Sequence, residues 1–464
     1  MANTFLTKTF ASDSNRKTWT WSAWIKRSGL GGTQTLMTQV DGWNGNGNAG
    51  FYIISDQLTS YNFTSSLNAG TDSYNRPSRY LRDVNGWYHI VVRLDTTQST
   101  ASDRCRWYVN GEQLTDFVYA NYPSLNQDCN FNGGDPHGIG SHTVGAGSNF
   151  FDGIMSHVHF ADGQSLEPTV FGETDATTGE WKIKTSPSFT LGTHGFTILK
   201  DGNTVTDQST NSNNWSVGDG TLTNTLDCPD NVFATMNPLI SQTGGVAGRN
   251  NPIDAKFFNG NTTIATSVAY WTPQLGNMEM FSGKYYWEQK FEVDGTPSNY
   301  LSYIGIEATD TAGTTLGNPS GTNANGIAYG TGGVVNKSGS SQSGSWSTWT
   351  AGDIVMCAVD LDNNYIYFGK NGTWQNSGVP TSGGSGTGGV AVTTGKSYIT
   401  ASTIHRGGNY SINTTYSYAK SNFGNGYFGT TAVSSAGTNA SGIGIFEYDV
   451  PTGFTALSTK GLNL

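Results

Sequence analysis

WTAGDIVMCAVDLDNNYIYFGKNGTWQNSGVP, from Trp349 to Pro380, reads as three β-segments joined by tight turns. Val355, Cys357, Val359 and Leu361 alternate with Ile354, Met356, Ala358 and Asp360, so one face is apolar and the other mixed. Asp362, Asn363 and Asn364 supply turn residues that tolerate positive φ, and Tyr365 to Phe368 lead back as a second strand. Asn371-Gly372 marks the next turn, just before Trp374. A cousin of this pattern occupies Gly86 to Leu114. There Trp87 to Asp95 forms an apolar strand ending in Asp, and Arg106-Trp107-Tyr108-Val109 returns to an Asn110-Gly111 turn. Two β-domains sharing a hairpin theme are expected.

Composition points the same way. The 464 residues include 62 Gly, about twice the usual share, and only 12% are charged, about half the usual share. The 13 Trp, 22 Tyr and 22 Phe are too many for a disordered chain. Abundant turn residues with abundant aromatics give an all-β class. A net charge of −10 argues against a nucleic-acid partner, and no apolar run reaches membrane-spanning length. The first residues, MANTFLTKTFASD, carry no apolar signal core, so synthesis in the cytoplasm without export is expected. Four cysteines, Cys105, Cys129, Cys228 and Cys357, are too few for a disulfide scaffold. Cys357 should pack as a small hydrophobe; Cys105 and Cys129 could meet, with free thiols favoured.

In chain order, residues 1–165 form a first unit. Trp19, Trp21, Ala23 and Ile25 alternate with Thr20, Ser22, Trp24 and Lys26, a strand for the inside of a sandwich. Residues 166–231 read as a polar connector with short strands, parts of it docked through Trp181, Phe196 and Trp215. Residues 232–464 form the second unit. The order WTWSAWIK (19–26 with its preceding Thr18), GWYHIVVRLD (86–95), WYVNG (107–111) and FDGIMSHVHF (151–160) resembles the laminin-G-like, concanavalin-type jelly roll. GKYYWE (283–288), YIGI (303–306), GDIVMCAVD (352–360), YFGKNGTW (367–374) and NFG (422–424) are similar to SPRY domains, another concanavalin-like sandwich. With DGQSLEPTVFGE (162–173) and DCPDNVFATMNPL (227–239), the whole resembles virion structural proteins of tailed bacteriophages. The resemblance implies two concanavalin-like jelly-roll β-sandwiches joined by an irregular connector. It also implies a virion location.

Catalytic chemistry is poorly provided for. Glucanases of this fold use closely spaced carboxylates on one strand face, and the chain has nine Glu in all. Glu288 and Glu292 come nearest, but Lys290 lies between them in sequence, so the three are expected to form a solvated row with both carboxylates ionised. No nucleophile-elbow, zinc-protease or paired-cysteine motif occurs. Gly395-Lys396-Ser397 resembles the end of a phosphate loop, yet Val390 stands where its first glycine belongs. His157 and His159, with Asp152 and Asp162 near, could be drawn as a metal site, but half-exposed strand histidines are the simpler reading. Asp360 and Asp362 are the weak candidates for a loop Ca²⁺; otherwise no cofactor is expected.

Surface recognition is the better-supported class. Gly/Asn/Ser-rich loops interleaved with Trp and Tyr suit glycan or protein docking, because rings stack on sugar faces while amides bond hydroxyls. The candidate ligand-binding residues are Trp43 and Asn44 in loop 41–48, Tyr74 and Tyr80 in loop 73–80, and Trp346 and Trp349 in loop 339–349. By the SPRY resemblance the last two lie near a ligand-holding loop, although any one Trp is more simply a core residue. The expected function is a non-enzymatic phage virion surface protein, a tail-fibre or appendage component recognising a host-surface glycan or protein. A capsid decoration or head-fibre role is the alternative, followed by a glycan-degrading enzyme and a secreted adhesin. The expected partners are other virion proteins, in a homo-oligomer or symmetric array, and a host glycan, with no nucleic acid and no membrane insertion.

Overall fold

The computed structural model describes residues 3–40, 49–61, 74–145, 147–200, 204–239, 255–267, 271–295, 301–311, 322–406 and 415–463. The chain divides into two compact units, Met1–Asn224 and Thr225–Leu464. Both are all-β, and among the described residues no helix is long and apolar enough to cross a membrane.

In the first unit Thr18–Arg27 is a central strand, antiparallel to Tyr88–Asp95 on one side and to Gly153–Asp162 on the other. Phe196–Ile198, Cys105–Val109 and Glu112–Leu114 complete a six-stranded sheet. A second sheet runs Phe117–Ala120, Asn75–Pro77, Gln57–Tyr61, Ala49–Ile54, Thr33–Gln39, Pro136–Ile139, Phe5–Thr9 and Ser216–Asp219. Trp19 and Trp21 are fully buried between the sheets, with ring centroids 5.6 and 5.4 Å from Phe51 of the facing sheet. Each such aromatic contributes about 2–3 kcal/mol through burial. Cys105 and Cys129 are buried free thiols, and burial pushes the Cys105 thiol up to about 12.

The stretch expected to connect two domains is built into the first one. Phe196–Ile198 pairs with Gly153–Asp162, and Ser216–Asp219 pairs with Phe5–Thr9, so the unit closes at 224 and not near 165. Its polar residues satisfy backbone groups and do not simply face water. The Asp207 carboxylate accepts from the Thr197, Ser209 and Asn213 amides, and Asn211 and Asn213 donate to the Gly195 carbonyl.

The same stretch covers the outer face of the six-stranded sheet. Phe171, with Leu166, Val170 and Phe189, packs on Val91 and Tyr108. Trp181, in a hairpin of Gly172–Thr174 with Trp181–Ile183, donates its indole N–H to His89 Nδ1 at 3.0 Å. An indole can only donate, so His89 carries its proton on Nε2 and donates to Ser22 Oγ at 2.8 Å. The imidazole is stacked between Trp24 and Trp181, at 4.8 and 5.9 Å, and burial holds it neutral with its pKa lowered to about 3. Trp181→Ala removes one stacking face and the indole donor to Nδ1. A loss of about 2 kcal/mol is expected, read by chemical denaturation, with faster hydrogen exchange in residues 172–189.

In the second unit the opening hairpin forms as read. Ile354–Asp360 pairs with Tyr365–Lys370, which pairs with Thr373–Trp374. Asn364 (φ 64°), Asn371 (φ 46°) and Gly372 (φ 83°) take the left-handed turn positions. Alternating residues of Ile354–Asp360 enter two different cores. Val355, Cys357 and Val359 meet Trp287, Ile304 and Phe368 between the sheets. Met356 and Ala358 meet Tyr286, Phe446, Val450 and Phe454 on the outer side. The second sheet of this sandwich runs Thr272–Met280, Tyr398–His405, Leu301–Ala308, Ile327–Gly330, Val334–Lys337 and Ser340–Ser341. Each unit is therefore a two-sheet sandwich with one outer face covered by chain from its own C-terminal part.

Candidate functional site

Residues 74–82, Tyr-Asn-Arg-Pro-Ser-Arg-Tyr-Leu-Arg, hold two of the candidate aromatic side chains, Tyr74 half-buried and Tyr80 exposed. Asn75–Pro77 is an inner strand paired with Phe117–Ala120, the edge strand of the eight-stranded sheet. Pro77 ends the strand, since it cannot donate to the ladder. On this edge strand Val118 and Tyr119 stand 51% and 53% exposed. The Tyr74 and Tyr119 rings lie 5.1 Å apart at 52°. Tyr80 is 49% exposed and carries the Arg82 guanidinium 4.1 Å over its ring. Arg82 also reaches Asp56 at 3.4 Å, while the fully buried Arg27 binds the same carboxylate at 3.0 Å. Arg82, more than half exposed, keeps its guanidinium on the face of Tyr80. Such a pair can stack on sugar or peptide faces and can bond hydroxyl or carboxylate oxygens.

The other predicted ligand residues are placed differently. Trp43 and Asn44 lie outside the described residues. Trp349 is 4% exposed and packs on Phe291 and Tyr329 at 5.9 and 6.0 Å, so its faces are not available to a ligand. Trp346 is half-buried against Tyr329 and Phe368. Tyr119 escaped the sequence reading because Phe-Val-Tyr-Ala shows no polar alternation; an apolar strand with no polar face was the available signal.

The carboxylate pair needs correcting. Glu288 is not in a solvated row: it is fully buried on the outer face of its strand, beneath the 445–448 segment. Its oxygens accept from the Glu447 and Tyr448 amides, both at 2.9 Å, from the Tyr286 hydroxyl at 2.9 Å and from Asn422 Nδ2 at 3.3 Å. Lys290 bonds Glu292 at 3.3 Å, and Lys420 reaches the same carboxylate from the neighbouring strand. Burial pushes the Glu288 carboxyl up to about 7, against the pull of its four donors. That value would suit a general acid, but the side chain is fully buried and its oxygens face four donors of the protein itself.

Metal chemistry fares no better. Among the described residues no three His, Cys, Asp or Glu side chains come together to hold an ion. Asp360 is fully buried and engaged by Lys284 at 3.0 Å and by both nitrogens of Asn363; Asp362 accepts from the Gly283 amide. His157 and His159 are buried, not half-exposed, and a bulge between Ser156 and His159 puts His157 at φ 50°. His157 Nδ1 meets Ser156 Oγ, while His159 Nδ1 meets Thr197 Oγ1. Asp162 accepts instead from Ser14, Asn15, Asn132 and His194.

Residues 3–170 match the model of the concanavalin A-like lectin/glucanase superfamily of the laminin-G type. No curated protein sequence matches the chain. Among solved structures, the SPRY domain of human HERC1 is 16% identical, with a TM-score of 0.25, over 34% of this chain and 86% of that one. The heptameric SAP-like pentraxin of Limulus polyphemus is 17% identical, with a TM-score of 0.26, over 36% of this chain and 72% of the other. Stonustoxin is 10% identical, with a TM-score of 0.27, over 40% and 26%.

Proposed function

We propose that this chain is a non-enzymatic surface protein of a tailed-phage virion, a tail-fibre or appendage component that recognises a host-surface glycan or protein. The observation that carries the recognition role is the edge of the first unit, where Tyr119 of the edge strand meets the half-buried Tyr74 and the exposed Tyr80 carries Arg82 over its ring. Rings already held against a neighbour give up less conformational freedom on binding, which favours affinity from a small contact. The non-enzymatic part is supported by the sealed state of Glu288 and by the dispersal of the other titratable candidates. The virion context rests on the sequence resemblance quoted above. Repeated sites on a particle favour a symmetric homo-oligomer or array with other virion proteins.

Immunogold labelling of intact particles tests the placement. Gold at the distal tail supports host recognition, gold over the head makes the protein a capsid decoration, and unlabelled particles overturn both. The recognition surface is tested separately with Tyr74→Ala combined with Tyr119→Ala. Binding of the purified protein to host cells should weaken about tenfold or more. Stability should change by no more than about 1 kcal/mol, because Tyr119 is exposed and Tyr74 is only half-buried.

A further inference from the structure

We infer that the second unit forms an internal covalent cross-link, an isopeptide bond between the Lys284 ε-amine and the Asn363 side-chain carboxamide, with Asp360 as its catalytic residue. The three side chains meet because Lys284 opens its strand directly opposite Asp360, the last residue of Ile354–Asp360, and Asn363 lies in the turn that follows. Asp360 is fully buried. Its Oδ2 is 3.0 Å from Lys284 Nζ and accepts from Asn363 Nδ2 at 2.8 Å. One carboxylate oxygen therefore holds the nucleophile and the leaving group of the proposed step side by side, as proximity catalysis requires.

The arrangement is fixed from several sides. Asp360 Oδ1 accepts the Asn363 backbone amide at 2.9 Å, which keeps the turn against the carboxylate. The Leu361 amide bonds the Gly283 carbonyl at 2.9 Å, and the Gly283 amide bonds Asp362 Oδ1 at 2.7 Å, tying the start of one strand to the turn of the other. In the neighbouring row on the same face, Tyr286, Ala358 and Tyr367 are buried with Phe446, Val450 and Phe454. Lys284 Nζ stands 6.0 Å from the centroid of the Phe454 ring. The Lys284 side chain is 28% exposed, so it keeps the freedom to close the remaining gap to Asn363 Cγ, and a small leaving group has a way out.

The step needs no oxidant and no co-reactant. Asp360 takes a proton from the Lys284 ammonium, and the freed amine attacks Asn363 Cγ, forming the Nζ–Cγ bond. Asp360 then gives that proton to Nδ2, the Cγ–Nδ2 bond breaks, and ammonia leaves; the second proton shed by Nζ goes with it as ammonium. The new amide keeps one N–H, which donates to Asp360 Oδ2. Lys370, Asp353 and Asn371 show what is particular to this place. There Nζ lies 3.0 Å from Asp353 Oδ2, while Asn371 Nδ2 donates to the other oxygen at 2.6 Å. Lys370 and Asn371 are also adjacent in the chain, so a bond between them would fasten nothing.

The cross-link lies in the second unit and does not rest on the recognition role of the first. The test is the intact mass of the purified full chain, measured unfolded. The mass should fall short of the sequence mass by one ammonia, N-terminal processing allowed for. Tryptic digestion should release a branched peptide that joins the segments around residues 284 and 363. Lys284→Arg and Asn363→Ala should each abolish the deficit, and so should Asp360→Asn, which keeps the shape of the side chain and removes the proton carrier. A bond between distant residues restricts the unfolded chain as a disulfide does, so K284R should lower the melting temperature of the second unit by on the order of 10 °C. A wild-type chain of full mass overturns the inference. A deficit that persists in K284R also overturns it, since that would mark a cyclised asparagine elsewhere, and one that persists in D360N removes Asp360 from the step.

Discussion

Alanine at Glu288 is expected to destabilise the second unit by about 3–5 kcal/mol, lowering its melting temperature by on the order of 10 °C for a unit of this size. The side chain is fully buried and terminates four donors. Truncation leaves the Glu447 and Tyr448 amides, the Tyr286 hydroxyl and the Asn422 amide facing a cavity. Asn422 is itself a junction: its Oδ1 receives the Gly424 and Gly426 amides, and its Nδ2 also reaches the Ile445 carbonyl. Thermal scans and chemical denaturation read the loss, and hydrogen exchange at residues 445–448 locates it. An unchanged melting temperature would show that Phe446, Val450 and Phe454 hold the covering segment by packing alone.

Between pH 8 and pH 5 the two units should respond in opposite directions. In the first unit, burial depresses His89 and His137 to about 3, and His159 well below its ordinary value. A histidine that stays neutral when folded binds fewer protons than it does unfolded. Its contribution is present above the unfolded value of 6.5 and is lost as pH falls, by about 2 kcal/mol each for His89 and His137 at pH 5. In the second unit Glu288 is raised from 4.5 to about 7, chiefly by burial. There the folded state holds the extra proton, so its stability is present below 4.5 and is lost as pH rises through about 7, to a total of about 3 kcal/mol. Carboxylates held below their ordinary range, such as Asp353 and Glu292, are already ionised in both states across this window. Unit-resolved hydrogen exchange at pH 5, 6.5 and 8 should show residues 3–224 loosening on acidification while residues 284–293 and 445–448 tighten. Glu288→Gln should flatten the second response and leave the first unaltered. Parallel behaviour of the two units would contradict the assignment.

Local pattern was legible where a single strand pair decides the structure. The Trp349–Pro380 hairpin, its Asn and Gly turns and the inward set Val355, Cys357 and Val359 follow from a period of two and from residues that tolerate positive φ. The Thr18–Arg27 strand was legible for the same reason. What covers a strand's other face was not. Alternation places Glu288 with Glu292 on one side, but it cannot say that Glu288 lies under residues 447–448, about 160 positions downstream. Composition misled in the 166–224 stretch, where Asp207, Asn211 and Asn213 resemble a solvated linker but spend their side chains on backbone groups. Of the candidate ligand residues, Tyr74 is half-buried and Tyr80 exposed, while Trp349 belongs to the core. Nothing in a one-dimensional pattern separates an exposed ring from a buried one when both sit among Gly and Ser.

The placement of the covering layers has a consequence for synthesis. Each outer face is completed by residues translated after the strands they cover: Phe171 and Trp181 after Val91 and Tyr108, and Phe446 to Phe454 after Tyr286 and Met356. While the ribosome still holds those residues, an apolar sheet surface stands open to water and to neighbouring nascent chains. The second unit bears the longer wait, since the polypeptide from 424 onward must emerge before its face can close. Chaperone occupancy during translation should therefore rise in two waves, with release of the second awaiting the emergence of Phe446 to Phe454.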